Sequence, residues 1–387
     1  MTKIGLDRRR FLIAGGATAV LGAVSSWGAG RAVAAGASNT SSSVRFTGDG
    51  LSLSAAEYAE VLSSVAGDAD FEPDLYGDGG VLAKLETRFA DLLGKETAVF
   101  LPTGTLANHI ALRRHARKGR RIVLQAKSHV YNDSGDCAQN LSGLNLVPVE
   151  GDFTAAAIER VLDASRRGRV NTPVGAISLE SPLRRGFNTG HELAEVREIR
   201  DLARSRDVGL HLDGARLFMQ AAHHGFPPHD FAAAFDTVYV SLYKNFNAAG
   251  GAILAGPADL LAGLSDERRM FGGSPCRSWP LAAVALKYAE GFIDAYRRAK
   301  AVFDRMTDLL AGEDRLDFEA IPNGCNTAWL HVDGVDPAQF VRRLAARDIH
   351  LMPPREHWPG LMLILNPTVA RMSAEDLAAG FRGALRG

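Results

Sequence analysis

Three side chains within one stretch of this sequence are of the types that do chemistry together. From Val208 to Ala255 the chain reads VGLHLDGARLF, then TVYVSLYKN, then AAGGAILA. Each piece is a short apolar run with polar or glycine-rich sequence at its end. Buried strands look like this when they deliver side chains to the edge of a sheet. The first run delivers Asp213 and Arg216, and the second delivers Lys244 between Tyr243 and Asn245. A strand-end acid and a strand-end lysine in one sheet meet the needs of pyridoxal 5'-phosphate (PLP) chemistry. The lysine amine forms a Schiff base with the cofactor aldehyde. The acid keeps the pyridine nitrogen protonated, so that the ring draws electrons.

The elements that must position these residues are legible on both sides. Leu82, Leu85, Phe89, Leu92 and Leu93 line one face of a helix over Val81–Leu93, and Gly94 follows as its stop. A strand at Ala98–Leu101 runs into Thr-Gly-Thr, with a helix expected from near Leu106. Free backbone N–H groups at a helix N-terminus bind phosphate, and Gly104 lets the backbone come close. Strands are predicted at Arg121–Gln125, Leu144–Val149 and Val174–Leu179, and helices at Ala155–Ser165 and Leu193–Arg206. This alternation predicts an α/β fold with a mostly parallel sheet covered on both faces. Residues 281–310 read as one amphipathic helical stretch. TAWLHV, a helix near Ala338–Ala346, IHLM, LMLIL and a helix after Ser373 then form a smaller α/β unit.

The totals exclude several partners. The 387 residues carry 44 basic and 44 acidic side chains, for a formal net charge of zero. Nothing in that balance attracts nucleic acid or an anionic membrane. Hydrophobic residues make up 46% of the chain, enough for a large core. Cys137, Cys276 and Cys325 match no zinc spacing and no disulfide framework. The N-terminus reads as a leader: Asp7-Arg8-Arg9-Arg10-Phe11-Leu12 precedes an apolar stretch from Ile13 to Val24, and Ala32-Val33-Ala34 gives a small-x-small cleavage site. The arginine pair before Phe-Leu resembles a twin-arginine signal, which implies export as a folded protein, to the periplasm or beyond the cell. The expected organisation is a signal at 1–34, a linker at 35–44, a cofactor-binding large domain at 45–290 and a small domain at 291–387.

In this order the segments DLYGDGGVLAKLE, AVFLPTGTLANHIAL, HLDGARLF, SLYKN with its glycine-rich sequel, and RRMFGG resemble the threonine aldolase and β-eliminating lyase family of fold-type-I PLP-dependent enzymes. The resemblance runs from about Asp74 to Ala289. It implies that Gly104 and Thr105 hold the cofactor phosphate and that His129 stacks on the pyridine ring. It implies too that Asp213 pairs with the ring nitrogen and that Lys244 is the Schiff-base lysine. Arg216 is implied beside the cofactor hydroxyl or the substrate carboxylate. Arg268 or Arg269 matches a family arginine that reaches the phosphate from a neighbouring subunit, which implies a homodimer or homotetramer.

The sequence departs from the family at its substrate positions. Where family aldolases carry a segment like ENTHN, this chain reads Glu180-Ser181-Pro182-Leu183-Arg184-Arg185, so Leu183 stands at the place of a proton-transfer histidine. No arginine stands at or next to the position around Leu365 and Asn366, where the family has one for the substrate carboxylate. Gly48, in Thr47-Gly48-Asp49, replaces a family serine. Arg184 or Arg185, and more weakly Arg355, are candidates to take over carboxylate binding.

The leading expectation is a PLP-dependent lyase acting on an α-amino acid, by retro-aldol cleavage of a β-hydroxy-α-amino acid to glycine and an aldehyde. The alternatives are a β-elimination lyase, an aminotransferase or racemase, and a PLP-binding protein without turnover.

Overall fold

In the computed structural model, residues 42–386 are described, and they pack as one compact unit. The expected leader and most of the expected linker lie outside the described residues. Twelve strands are present in this unit. β1 is Val44–Arg45, β2 Thr97–Leu101, β3 Arg121–Gln125, β4 Asn145–Val149, β5 Val174–Glu180 and β6 Gly209–Asp213. β7 is Thr237–Ser241, β8 Ala252–Gly256, β9 Leu316–Ala320, β10 Thr327–Val332, β11 Ile349–His350 and β12 Leu361–Ile364.

The central sheet has seven strands in the order β2-β8-β7-β6-β5-β3-β4. Neighbours from β7 through to β4 pair in parallel, while β8 pairs antiparallel with both β7 and β2. All residues of β5, β7 and β8 are buried, as sheet strands covered on both faces require. The carboxyl ends of β2, β5, β6 and β7 therefore open on one edge, where α/β sheets place their ligands.

Three expectations shift in detail. The helix after β2 begins at Gly104 rather than near Leu106, because Thr103 caps it and accepts the Leu106 N–H at 3.2 Å. The stretch 281–310 is two helices, Trp279–Ala289 and Phe292–Leu310, parted at Glu290 and Gly291. Glycine is a poor interior helix residue, and here it starts a new helix instead. Lys244 is not on a strand but in a one-turn helix, Leu242–Asn245, directly after β7.

The C-terminal segment forms its own antiparallel sheet, β12-β10-β9. β1 pairs in parallel with β11, and Phe46 packs edge-on against Phe303 and Phe381. The start of the described chain is thus joined to the C-terminal part. Asn366 reinforces this, donating from Nδ2 to the carbonyls of Arg45 (2.7 Å) and Thr47 (3.2 Å). Among the described residues no helix is long and apolar enough to cross a membrane.

Candidate active site

The carboxyl edge gathers charges that are far apart in sequence. Asp213 ends β6 and Glu180 ends β5, and the two are register partners. Arg216 stands three residues after Asp213, and its Nε and Nη2 donate to the two carboxylate oxygens of Asp49 at 2.9 Å each. Their side chains are only 10% and 12% exposed. Arg216 and its hydrogen bonds hold Asp49 below the usual carboxylate range against the opposing effect of burial. Lys244 joins this cluster. Burial first, then the Arg216 charge, lowers its amine to about 8, while Asp213, Asp49 and Glu180 pull the other way. An amine so placed is a nucleophile near neutral pH, which an ordinary lysine is not.

A buried hydrogen-bond relay leads to Asp213 from behind. Asn108 Nδ2 donates to Asp213 Oδ2 at 2.7 Å. The Asn108 carbonyl oxygen must then accept, and it does so from His211 Nε2 at 2.9 Å. His211 Nδ1 is left to accept the Thr237 hydroxyl at 2.8 Å, and that oxygen receives His115 Nε2 at 2.9 Å. Burial lowers His211 to about 3 and also lowers His115, so both rings are neutral, as this polarity needs. Every donor in the chain points toward Asp213. The sequence assigns no role to His211 or Asn108. Their signal was position: His211 sits two residues before Asp213 on the same strand face, and Asn108 lies on the helix that crosses it.

The turn expected to hold a phosphate leads straight into a helix. Gly104 and Thr105 open the helix Gly104–His115, whose first-turn N–H groups have no intrahelical acceptors. A Cβ on Gly104 would lie 1.9 Å from the Tyr239 hydroxyl, so only glycine fits there. Arg268 and Arg269 part company. Arg268 is buried and donates to the carbonyls of Phe100 (2.9 Å) and Gly77 (3.0 Å) of its own chain, which commits it to bracing that loop. Arg269 is exposed, over the exposed Tyr76 ring at 5.4 Å.

His129 begins the short helix His129–Asn132 after β3. Its backbone N–H donates to Glu180 Oε2 at 2.5 Å, and the Arg184 N–H donates to Glu180 Oε1 at 3.0 Å. One carboxylate thus ties together the two loops that border the site. Burial first, then the Asp213 charge, pushes Glu180 up to about 7. Arg184 and Arg185 share a single partner, Asp133, at 2.5 and 2.7 Å. Asp133 also lies 3.6 Å from His129 Nδ1. The sequence reading missed Asp133 and the tie through Glu180; only folding shows which acid faces which arginine. Leu183 is half-buried. Asn366, at the place of the family arginine, is fully buried and spends its amide on backbone carbonyls. Arg355 lies over the Trp358 ring at 4.7 Å.

These residues suit PLP. The helix start offers N–H donors to a phosphate, Asp213 offers an acceptor to a ring nitrogen, and Lys244 offers an activated amine. Next to Lys244, both amide atoms of buried Asn245 have no hydrogen-bond partner among the described residues, and beside His129 the same is true of the Ser128 hydroxyl. Buried polar atoms of this kind are ordinarily satisfied, and a polar ligand is one way to satisfy them.

The fold and the edge define a fold-type-I PLP-dependent enzyme architecture. It is shared with the threonine aldolase of Leishmania major, a solved structure superposing with a TM-score of 0.68 at 18% identity over 89% of this chain and 99% of that one. A sequence profile for β-eliminating lyases matches residues 54–311, and the chain belongs to that family, whose cofactor is PLP. The low-specificity L-threonine aldolase of Eremothecium gossypii is 29% identical over 65% of this chain and 65% of its own length. Alanine racemase TOXG of Cochliobolus carbonum is 30% identical over 58% of this chain and 57% of its own. The match therefore spans less than two thirds of the length of each of these two relatives.

Proposed function

We propose that this protein cleaves a β-hydroxy-α-amino acid to glycine and an aldehyde. The observation that carries the reading is the grouping of Lys244, Asp213, Arg216 and His129 at one sheet edge beside the Gly104 cradle, in a chain of the β-eliminating lyase family. When bound, PLP supplies an electron sink for charge developed at the substrate α-carbon. The chain does the rest. The first turn at Gly104 and Thr105 binds the phosphate. Asp213, held by Asn108, keeps the proton on the ring nitrogen. His129, fixed through its backbone by Glu180, stacks on the ring and is the group placed to take the hydroxyl proton. Lys244 moves protons at the α-carbon. The Arg216 donors that Asp49 leaves free, with Arg184 or Arg185, bind the substrate carboxylate.

Leu183 favours a second reading, β-elimination. A leaving group that departs as a stable anion needs no base where the aldolases place a histidine. One experiment separates the two. The holoprotein is incubated with a panel of amino acids and the products are identified. Glycine plus aldehyde supports the first reading; pyruvate plus ammonia, with no glycine from any β-hydroxy substrate, replaces it with the second.

We propose further that the enzyme is a homodimer or homotetramer in which Arg269 reaches the partner's cofactor phosphate. Arg269 is the one of the arginine pair left exposed, and Leu75 (53% exposed), Tyr76 (48%) and Met270 (61%) form an apolar surround suited to a subunit contact. Light scattering reports the assembly, and weaker PLP retention by Arg269→Ala reports the reach. Export through the twin-arginine pathway remains part of this proposal, since a leader and a cofactor acquired inside the cell are reconciled only by a route that carries folded proteins.

A further inference from the structure

The edge of the sheet opposite Asp213 holds a second concavity. It lies between the turn 116–120, the approach to β4 and the approach to β5, and it encloses about 660 Å³. That volume is typical of small-molecule sites. Its wall carries six cations, Arg113, Arg114, Arg117, Lys118, Arg120 and Arg121, against one carboxylate, Glu267. The chain as a whole balances 44 basic with 44 acidic residues, so composition does not explain the crowding.

Part of this charge has internal work. Arg114 is buried, lies 3.1 Å from Glu267 and donates to the carbonyls of Leu260 and Ala262. Arg113 lies 3.6 Å from Glu267. Both sit in the last turn of the helix Gly104–His115, where cations are stabilised by the helix dipole. Lys118 pairs with Asp207 at 2.6 Å. Arg117, Arg120 and Arg121 stand outside this account. Arg117 is exposed and has no ion-pair partner among the described residues. The hydrogen bonds of Arg120 and Arg121 go to neutral oxygens, the Ser142 and Gly143 carbonyls and the Ser165 hydroxyl.

The backbone beneath these arginines is built to hold them in place. A Cβ on Gly119 would come 2.3 Å from the Pro173 carbonyl oxygen, and one on Gly175 would come 2.0 Å from the Gly119 carbonyl oxygen. The arginine-bearing turn is therefore pressed onto the start of β5 through two glycines. Like charges lining one cavity repel one another, and an anion bound among them is attracted to each. Guanidinium groups match phosphate oxygens in geometry as well as charge.

We propose that this cavity binds a small polyanion, a molecule carrying two or more phosphate groups. The site is distinct from the cofactor's cradle. The two lie at opposite ends of one helix of 12 residues, about 18 Å long at 1.5 Å per residue. The proposal is independent of which reaction the enzyme performs.

The test is calorimetric titration of the PLP-saturated holoprotein with inorganic pyrophosphate, at low and at physiological salt. Saturable one-site binding that weakens as salt rises is expected. Arg117→Gln combined with Arg120→Gln is expected to weaken it by about tenfold or more, whereas Arg297→Gln, on a distant helix, leaves it unchanged. Arg120 also tethers two carbonyls, so Arg117→Gln alone, with its thermal midpoint checked, provides a variant that keeps the fold. ATP titrated alongside distinguishes a nucleotide, which binds tighter than pyrophosphate, from a bare polyphosphate, which does not. No saturable binding of either probe, or binding that the arginine variants leave intact, overturns the proposal. So does sedimentation with phosphatidylserine vesicles in the absence of pyrophosphate binding, because the charges then serve a membrane surface.

Discussion

Glu180 and Asp213 stand side by side as register partners at the carboxyl ends of adjacent parallel strands, only 4% and 2% exposed. Burial first, and then the Asp213 charge beside it, push Glu180 up to about 7. Its two oxygens take the N–H groups of His129 and Arg184, so the raised carboxyl also spaces the loops of the site.

That shift has a sign in stability. Unfolded, Glu180 ionises near 4.5, and folded near 7. Between these values the folded state holds a proton that the unfolded state has released. Stability therefore falls as pH rises from about 4.5 to about 7 and is level above. Glu180→Gln is expected to remove this slope. It is also expected to lower the midpoint at pH 5, where the wild-type residue still holds its proton, because an amide accepts only one of the two N–H bonds. Thermal midpoints from pH 5 to pH 8 check it; an undiminished slope in the variant refutes the assignment.

The relay behind Asp213 predicts a catalytic effect from residues that do not touch substrate. Asn108→Ala withdraws the donor at 2.7 Å from the Asp213 carboxylate. A loss in kcat of roughly tenfold to a hundredfold is expected, by analogy with other outer partners of working ligands, with KM moving less. The absorbance band of the bound cofactor should shift with pH differently in the variant. A variant that only unfolds more readily, with kcat intact, would show the relay to be structural.

Lys244 predicts the pH at which the cofactor is captured. With its amine lowered to about 8, the rate of reconstitution of apoprotein with PLP should rise through a midpoint near pH 8, well below that of a free lysine. Lys244→Ala should lose the borohydride-reducible link between protein and cofactor. Gly104→Ala should weaken cofactor retention, since its Cβ meets the Tyr239 hydroxyl at 1.9 Å. A reducible link found on another lysine would end the assignment.

Leu183 and the arginine pair test the chemistry. If the scaffold is an aldolase short of a base, Leu183→His should raise cleavage of threonine or phenylserine by about tenfold or more, toward the roughly 10²–10⁴ that general bases contribute. If elimination is native, it should do little. Arg184→Ala and Arg185→Ala should differ, with the carboxylate partner raising KM strongly. Asp133→Ala releases both arginines and should lower KM for substrates that the true partner binds.

The leader proposal is tested in cells. Arg8→Lys together with Arg9→Lys should leave active enzyme inside the cell; continued export of the double variant would show another route.

Much of the scaffold was legible in the sequence, because it rests on local rules. β3 runs from Arg121 to Gln125 as its apolar run and flanks predict, and Gly94 ends the helix Gly80–Leu93 in the left-handed conformation that glycine allows. The reading of Asp213 and Lys244 as neighbours needed only the alternation of strands and helices and the polar residues at their ends. What the sequence does not show is which charges find one another. Asp49 lies 167 residues from Arg216, and Asn108 lies 105 residues from Asp213. Arg268 and Arg269 are adjacent and identical in type, yet one is buried against backbone carbonyls and the other faces outward. Glu180 is an ordinary glutamate until β5 is laid beside β6. Such pairings belong to the tertiary structure alone, because burial and the approach of distant segments set the electrostatic environment of a group, and neither is a property of its neighbours in the chain.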